Sequence, residues 1–167
     1  IDGFRVERAP EWRGQRVFVR HEVGGKSYEL RLSEESAGTQ KLMGLAAYLM
    51  TALERGGTVV VDELDAKLHP KLLRYVILLF KDPEVNKSGA QLIFSSQDVS
   101  TMRNDVFRRD EIWFAARGER EASQLWSLAD IHEANGNLVS KNAAFDKQYL
   151  SGRYGADPYL TRIEEWD

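Results

Sequence analysis

Residues Thr58-Val-Val-Val-Asp-Glu-Leu-Asp65 constrain the fold of this chain more than any other stretch. Three consecutive valines suit a short buried strand, because branched side chains pack well on a pleated surface and leave no polar group to face water. The carboxylates that follow are too costly to place in an apolar interior, so they belong at the carboxyl end of that strand. In an open parallel sheet this end is where ligands bind, which makes Asp62 and Glu63 candidates for function by position alone. Neighbouring strand-end residues point different ways. One acid can therefore orient a magnesium ion while its neighbour polarises a water molecule. An acidic pair that simply caps the next loop and helix explains the same stretch, and the stretch alone does not separate the two.

Around this strand the pattern is that of one α/β domain. A chain of 167 residues, 43% of them apolar, is long enough to bury a single core. Val17 to Arg20 and Tyr28 to Leu32 alternate apolar with polar residues and flank Val23-Gly-Gly-Lys26, which predicts an N-terminal antiparallel β-hairpin. From Ser36 the period changes: Leu42, Leu45, Ala46, Leu49 and Leu53 share one face of a long helix that Gly56-Gly57 closes. Lys71 to Phe80 reads as a second helix entered through Pro70 and ended by Asp82-Pro83. Ala90 to Ser95 reads as another buried strand, Val99 to Arg103 as a short helix, and Glu111 to Ala115 as a third strand. Strands alternating with helices predict a mostly parallel sheet with flanking helices. Beyond Ser127 the pattern yields one helix, Asn142 to Leu150, and an aromatic tail.

Composition excludes several classes of function. There is no cysteine, so disulfides, cysteine-based zinc sites and thiol nucleophiles are ruled out, in keeping with a reducing, cytoplasmic setting. Val76 to Phe80 is the longest apolar run, far short of the roughly 20 residues that cross a bilayer, and no membrane partner is expected. A net charge of −3 gives no general footprint for nucleic acid, although Arg103, Arg108 and Arg109 offer a local basic patch. His21, His69 and His132 are scattered without metal-ligand spacing, and Ser95 and Ser96 have no evident base for nucleophilic chemistry. The four tryptophans are dispersed and are expected to pack rather than stack on bases. The opening Ile1-Asp2-Gly3-Phe4, with no initiator methionine and no signal pattern, is expected to mark a piece of a larger protein.

Two further features gather on the rim that carries the acids. Ser36-Ala-Gly-Thr39 is a small-residue entrance to the long helix, where free amides and the helix dipole favour a phosphate; plain N-capping by Ser36 accounts for it equally well. Ser95-Ser-Gln-Asp98 follows the next strand and so lies beside the acids. Leu64-Asp-Ala-Lys-Leu-His-Pro70 leads from the acids into the next helix. In this order, from about Ser33 to Met102, the chain resembles the C-terminal half of an ABC-type ATPase head, a P-loop NTPase fold. Such heads occur in SMC-like repair ATPases and in the AAA-type ATPases of abortive-infection and restriction-linked systems. The tail Phe145 to Pro158 is similar to that of the abortive-infection group called RloA.

That resemblance implies roles. Ser36 to Thr39 looks like the signature motif, Val59 to Glu63 like a Walker B, and Leu64 to Pro70 like a D-loop. Asp62 would organise Mg2+ and Glu63 would be the general base. Ser36, Gly38 and Thr39 would contact ATP held by a second head, with Asp65 and His69 reaching the same interface. The second head implies a head-to-tail homodimer that sandwiches ATP, and an effector protein is a further expected partner.

Where related ATPases carry a switch histidine, this chain has Gln97, which donates a hydrogen bond but cannot titrate near neutrality. A Walker A is not found. Gly25-Lys26-Ser27 imitates its end, but the glycine required five positions earlier is Arg20, and alternating strand follows. The expected organisation is thus 1–33 hairpin, 34–116 nucleotide core and 117–167 cap, with the P-loop on a separate N-terminal lobe and the piece alone inactive. Two other readings stay open: a metal-dependent nuclease using Asp62, Glu63 and Asp65, and a non-catalytic interaction module.

Overall fold

The structure, a computed structural model, describes residues 1–8, 15–117, 122–133 and 135–156. Alternating apolar and polar residues build the first sheet from β1 (Gly3–Arg8), β2 (Gln15–Val23) and β3 (Lys26–Arg31), all antiparallel in the order β1-β2-β3. Gly24 and Gly25 link β2 to β3 at φ 59° and 75°, the left-handed pair that a two-residue hairpin turn needs. Gly25-Lys26-Ser27 is therefore part of a hairpin. The hairpin expected from residues 17–32 has a third strand, whose Phe4 and Val6 alternate with Arg5 and Glu7 and face Val19 and Val17. One face carries charge: Arg5 pairs with Glu29 at 2.9 Å and with Glu7 at 2.9 Å, and its guanidinium lies 4.4 Å from the Phe18 ring centre.

Helix α1 (Ala37–Arg55) begins at Ser36, whose hydroxyl accepts the Thr39 N–H at 3.2 Å, and ends at Gly56 with φ 79°. A Cβ on Gly56 would stand 2.9 Å from the Ser88 carbonyl oxygen, so both conformation and space demand glycine there. Strand β4 (Thr58–Val61) pairs in parallel with β5 (Gln91–Phe94), placing Val59 beside Leu92 and Val61 beside Phe94. Between them runs α2 (Pro70–Lys81), with Pro70 at its first turn and His69 as its cap. Leu49 of α1, Val61 of β4, and Leu73, Val76 and Ile77 of α2 form one buried cluster with Leu64 and Leu68.

Two expectations are corrected here. Among the described residues the parallel part holds two strands, not a mostly parallel sheet, and the valine strand is covered on one face only: Val60 is 73% exposed and Ile93, its neighbour, 56%. The expected third strand is instead β6 (Trp113–Arg117), which pairs antiparallel with β7 (Ser123–Ser127) in a sheet of its own. The cause is a second core, in which Ile112 and Phe114 bury against Leu128, Val139, Phe145 and Tyr154 rather than against α1 or α2. Lys81 to Glu111 at 2.6 Å and Arg74 to Asp105 at 3.1 Å tie α2 to the segment leading into β6.

The aromatic tail builds that second core. Helix α3 (Phe145–Leu150) is shorter at its start than the expected Asn142 to Leu150, because Asn142 and Ala143 donate their N–H groups back to Ser140 in a turn. Tyr149 stacks on Phe114 at 5.7 Å, and Tyr154 lies 5.3 Å from the same ring. Tyr159 of the same tail falls outside the described residues. Trp126 also packs on Phe114, whereas Trp113 is 57% exposed against expectation; Trp12 and Trp166 lie outside the described residues.

The Tyr154 hydroxyl donates to Gln148 Oε1 at 2.6 Å. Burial, reinforced by the negative charge of Glu133, pushes this phenol up to about 12. A phenol raised above its unfolded value of 10.0 adds stability that is complete below that pH and lost as pH rises through about 12. An absorbance titration is expected to show one tyrosine ionising last, together with loss of the near-UV aromatic signal. Tyr154→Phe should remove that late step.

Candidate functional site

Parallel pairing of β4 with β5 brings Ser95 to the acidic tip. Ser95 N–H donates to the Val61 carbonyl at 3.1 Å, and Leu64 N–H donates to the Ser95 carbonyl at 3.0 Å, so the ladder continues past both strands. The Ser95 hydroxyl donates to the Asp62 carboxylate and accepts the Glu63 N–H at 2.7 Å. Asp62 and Glu63 are both exposed. Glu63 sits at φ 48°, a left-handed conformation that costs an L-residue about 1–2 kcal/mol. The Lys41 ammonium, reaching over from α1, donates to the Glu63 carbonyl.

Beyond the acids the chain turns through Leu64, which is fully buried and anchors the turn. Asp65 accepts the Gln97 N–H at 3.3 Å through one oxygen, while its other carboxylate oxygen is buried with no partner among the described residues. Lys67 is the second non-glycine residue at positive φ, 66°. The first turn of α1 abuts this turn so closely that a Cβ on Gly38 would lie 2.6 Å from the Lys67 carbonyl oxygen. Ser36 and Thr39 hydroxyls are 2.9 Å apart at the exposed start of α1. Ala37, Gln40, Lys41, Ala66 and Lys67 line a shallow groove of about 400 Å³ between the two segments. Two lysines and a helix N-terminus make that groove electropositive.

The residues singled out from the sequence therefore fall into two touching groups. Asp62 and Glu63 share Ser95 at the ends of β4 and β5, and Asp65 and Gln97 are joined just beside them. Ser36, Gly38 and Thr39 stand at the start of α1, where Gly38 packs close to the Lys67 carbonyl. His69 stands apart from both: its Nδ1 accepts the Lys71 N–H at 3.1 Å, which fixes the ring as the cap of α2.

Sequence reasoning missed two members of the constellation. The sequence places Ser95 beside the acids and gives it no base for nucleophilic chemistry, but does not reveal it as their bonding partner, although a hydroxyl at the end of a buried strand is placed to bond the end of its neighbour. Lys41 lies four residues before Leu45 and eight before Leu49, so it is a cation in the apolar stripe of α1, and that misfit was its signal.

The acids do not converge as a nuclease centre would need. Asp65 is turned to Gln97 while Asp62 is bonded to Ser95, and no group of three acidic or histidine side chains suited to a metal occurs among the described residues. The basic patch is also spent internally. Arg103 pairs with Asp105 at 3.1 Å, Arg108 with Asp110 at 2.6 Å, and Arg109 donates to the Val139 carbonyl. The hydrogen bond from Arg103, aided by Arg74, holds the Asp105 carboxyl below its ordinary value, as Arg108 does for Asp110. No helix among the described residues is long and apolar enough to cross a membrane.

The contact at Gly38 yields a direct test. Gly38→Ala must displace the Lys67 backbone or the start of α1, and is expected to cost about 1–3 kcal/mol, read as a lower midpoint in urea with an unchanged slope. Thr39→Ala, which disturbs no such contact, should cost clearly less.

Comparison with known proteins places this arrangement. A family model described as "AAA domain, putative AbiEii toxin, Type IV TA system" matches residues 2–103, more than half of the chain. No curated protein matches it. Among solved structures, the chain is similar to one described as "Structural biochemistry of ATP-driven dimerization and DNA stimulated activation of SMC ATPases", with TM-score 0.51 and 17% identity over 74% of this chain and 71% of that one. At that identity the likeness is one of fold. With its family model spanning the first sheet, α1, the acidic tip and the end of β5, the chain belongs to the AAA domain family that this description names.

Proposed function

We propose that this chain is the signature and Walker B lobe of an ABC-type ATPase that binds and hydrolyses ATP between two heads. The observation that carries the reading is the shared rim, where the turn that follows the acidic tip of β4 packs against the exposed start of α1 and Lys41 of that helix binds the Glu63 carbonyl. In this reading Ser36, Gly38 and Thr39 meet the γ-phosphate of ATP held by a second copy, through hydroxyls and free amides at a helix N-terminus. Glu63 acts as general base on the attacking water. Asp62 is an exposed carboxylate oriented by Ser95, a hard oxygen donor of the kind that gives magnesium one protein ligand while phosphates and water complete its shell. Magnesium bound with ATP would neutralise phosphate charge.

Gln97, held to Asp65 through its backbone, would offer a neutral donor where a histidine would carry charge. Asp65 and His69 lie on the segment that would face the second copy. The P-loop then comes from a separate N-terminal lobe, and the exposed face formed by Val60 and Ile93 supports one, since parallel strands are ordinarily covered on both faces. Dimerisation driven by ATP is known for the SMC ATPases to which the fold is similar, and a family description naming a toxin of a type IV system favours a cytoplasmic defence ATPase of the RloA kind over a housekeeping role.

In the intact ATPase, Glu63→Gln is expected to slow ATP turnover by about 10²- to 10⁴-fold, or roughly 3–5 kcal/mol of barrier, while ATP-driven dimerisation persists. Turnover at the normal rate would remove Glu63 from the chemistry. Gln97→His should maintain or raise hydrolysis, and loss of ATP binding in that variant would refute its placement at the γ-phosphate.

A further inference from the structure

We infer that Lys41 is a positioning residue that sets the aim of Glu63 and couples it to the nucleotide met by the start of α1. The inference rests on the functional reading above. It begins from the backbone of Glu63, which at φ 48° occupies a region that a side-chain-bearing residue keeps only when its surroundings hold it there. Two groups hold it. The Ser95 hydroxyl takes the N–H of Glu63 and the Lys41 ammonium binds its carbonyl, so the residue's own peptide groups are gripped from opposite sides.

The two grips differ in origin. Ser95 continues β5 and is fixed by the ladder to Val61. Lys41 belongs to α1, two residues past Thr39, on the side of the helix that carries Leu45 and Leu49. Helical propensity does not explain a cation there, because a position just past the first turn gains nothing from the dipole and an apolar stripe offers no counter-charge. The Glu63 carbonyl, aimed at it by the left-handed turn, does. A helix moves as a rod, and its first turn lies so near the turn after the acids that a Cβ on Gly38 would stand 2.6 Å from the Lys67 carbonyl oxygen. Any displacement of the helix start by a phosphate is therefore delivered through Lys41 to the peptide that orients the general base. The start of α1 and the carboxylate of Glu63 serve different nucleotides in the two-headed arrangement, so Lys41 links one site to the other within a single copy.

The test uses the intact ATPase and ATP itself. Lys41→Met is expected to leave ATP affinity and thermal stability near normal, to lower kcat about tenfold or more with little change in KM, and to flatten any cooperativity in ATP. Lys41→Arg, which keeps a donor of similar reach, should restore most of kcat. Normal kcat in Lys41→Met would overturn the inference, as would a fall in kcat matched by equal loss of ATP binding or of stability. Glu63→Gln measured alongside separates the two levels. If it abolishes turnover while Lys41→Met does not, only the role of Lys41 falls; if it too is fully active, the reading of the whole site falls.

Discussion

The register between β4 and β5 is the constraint on which the site depends. With Val61 beside Phe94, the next residue of each strand is an acid and a serine, and one hydroxyl can serve both the Asp62 carboxylate and the Glu63 amide. A slip of β4 by one residue would turn its side chains over, exposing Val59 and Val61 and burying Val60, while carrying Ser95 away from Asp62. Apolar packing against α1 and α2 therefore does more than stabilise this layer. It selects the single alignment in which the polar ends meet, and the energy that fixes the chemistry is spent several residues away from it.

Past that point the backbone leaves ordinary territory twice within five residues, at Glu63 and at Lys67. Leu64 and Leu68 sit between and after these positions and are both buried, so the turn is pinned by apolar anchors while its unusual dihedrals swing the neighbouring carbonyls outward. Those carbonyls are then read by α1: Lys41 binds that of Glu63, and Gly38 presses on that of Lys67. Glycine at 38 thus has a local steric cause that operates whether or not a nucleotide is present. A small residue there is thus accounted for by packing, while Ser36 beside it caps the helix, so the small-residue entrance has local causes at both positions.

Much of this was legible from pattern. The hairpin turn, the face of α1, the Pro70 entrance to α2 and the placement of the acids at a strand end follow from periods of two and 3.6 residues and from the conformational demands of glycine and proline. Other features were not, for stated physical causes. Glu111 to Ala115 reads as one more strand of an alternating series, but strand identity does not reveal its partner, and the pull of Phe145, Tyr149 and Tyr154 on Phe114 takes it into a separate antiparallel sheet. Three valines read as a doubly covered strand, because composition records that a residue prefers burial and not whether anything is present to bury it. β1 was overlooked although Phe4 and Val6 alternate cleanly. The bond from Lys41 to Glu63 spans 22 positions and leaves only a cation in an apolar stripe as its trace.

The exposed surface of the parallel pair has a consequence for how such a molecule exists in solution. Among the described residues β4 and β5 pair only with each other, so each presents an unpaired row of amides and carbonyls on its far side, next to a greasy flank made by Val60 and Ile93. Hydrogen-bonding edges of this kind recruit any extended chain of compatible spacing, whether the proper one or a neighbour's. For this polypeptide, staying dispersed depends on keeping that edge and that flank from meeting a neighbour's, and a substitution that enlarges the greasy flank would show itself first as turbidity.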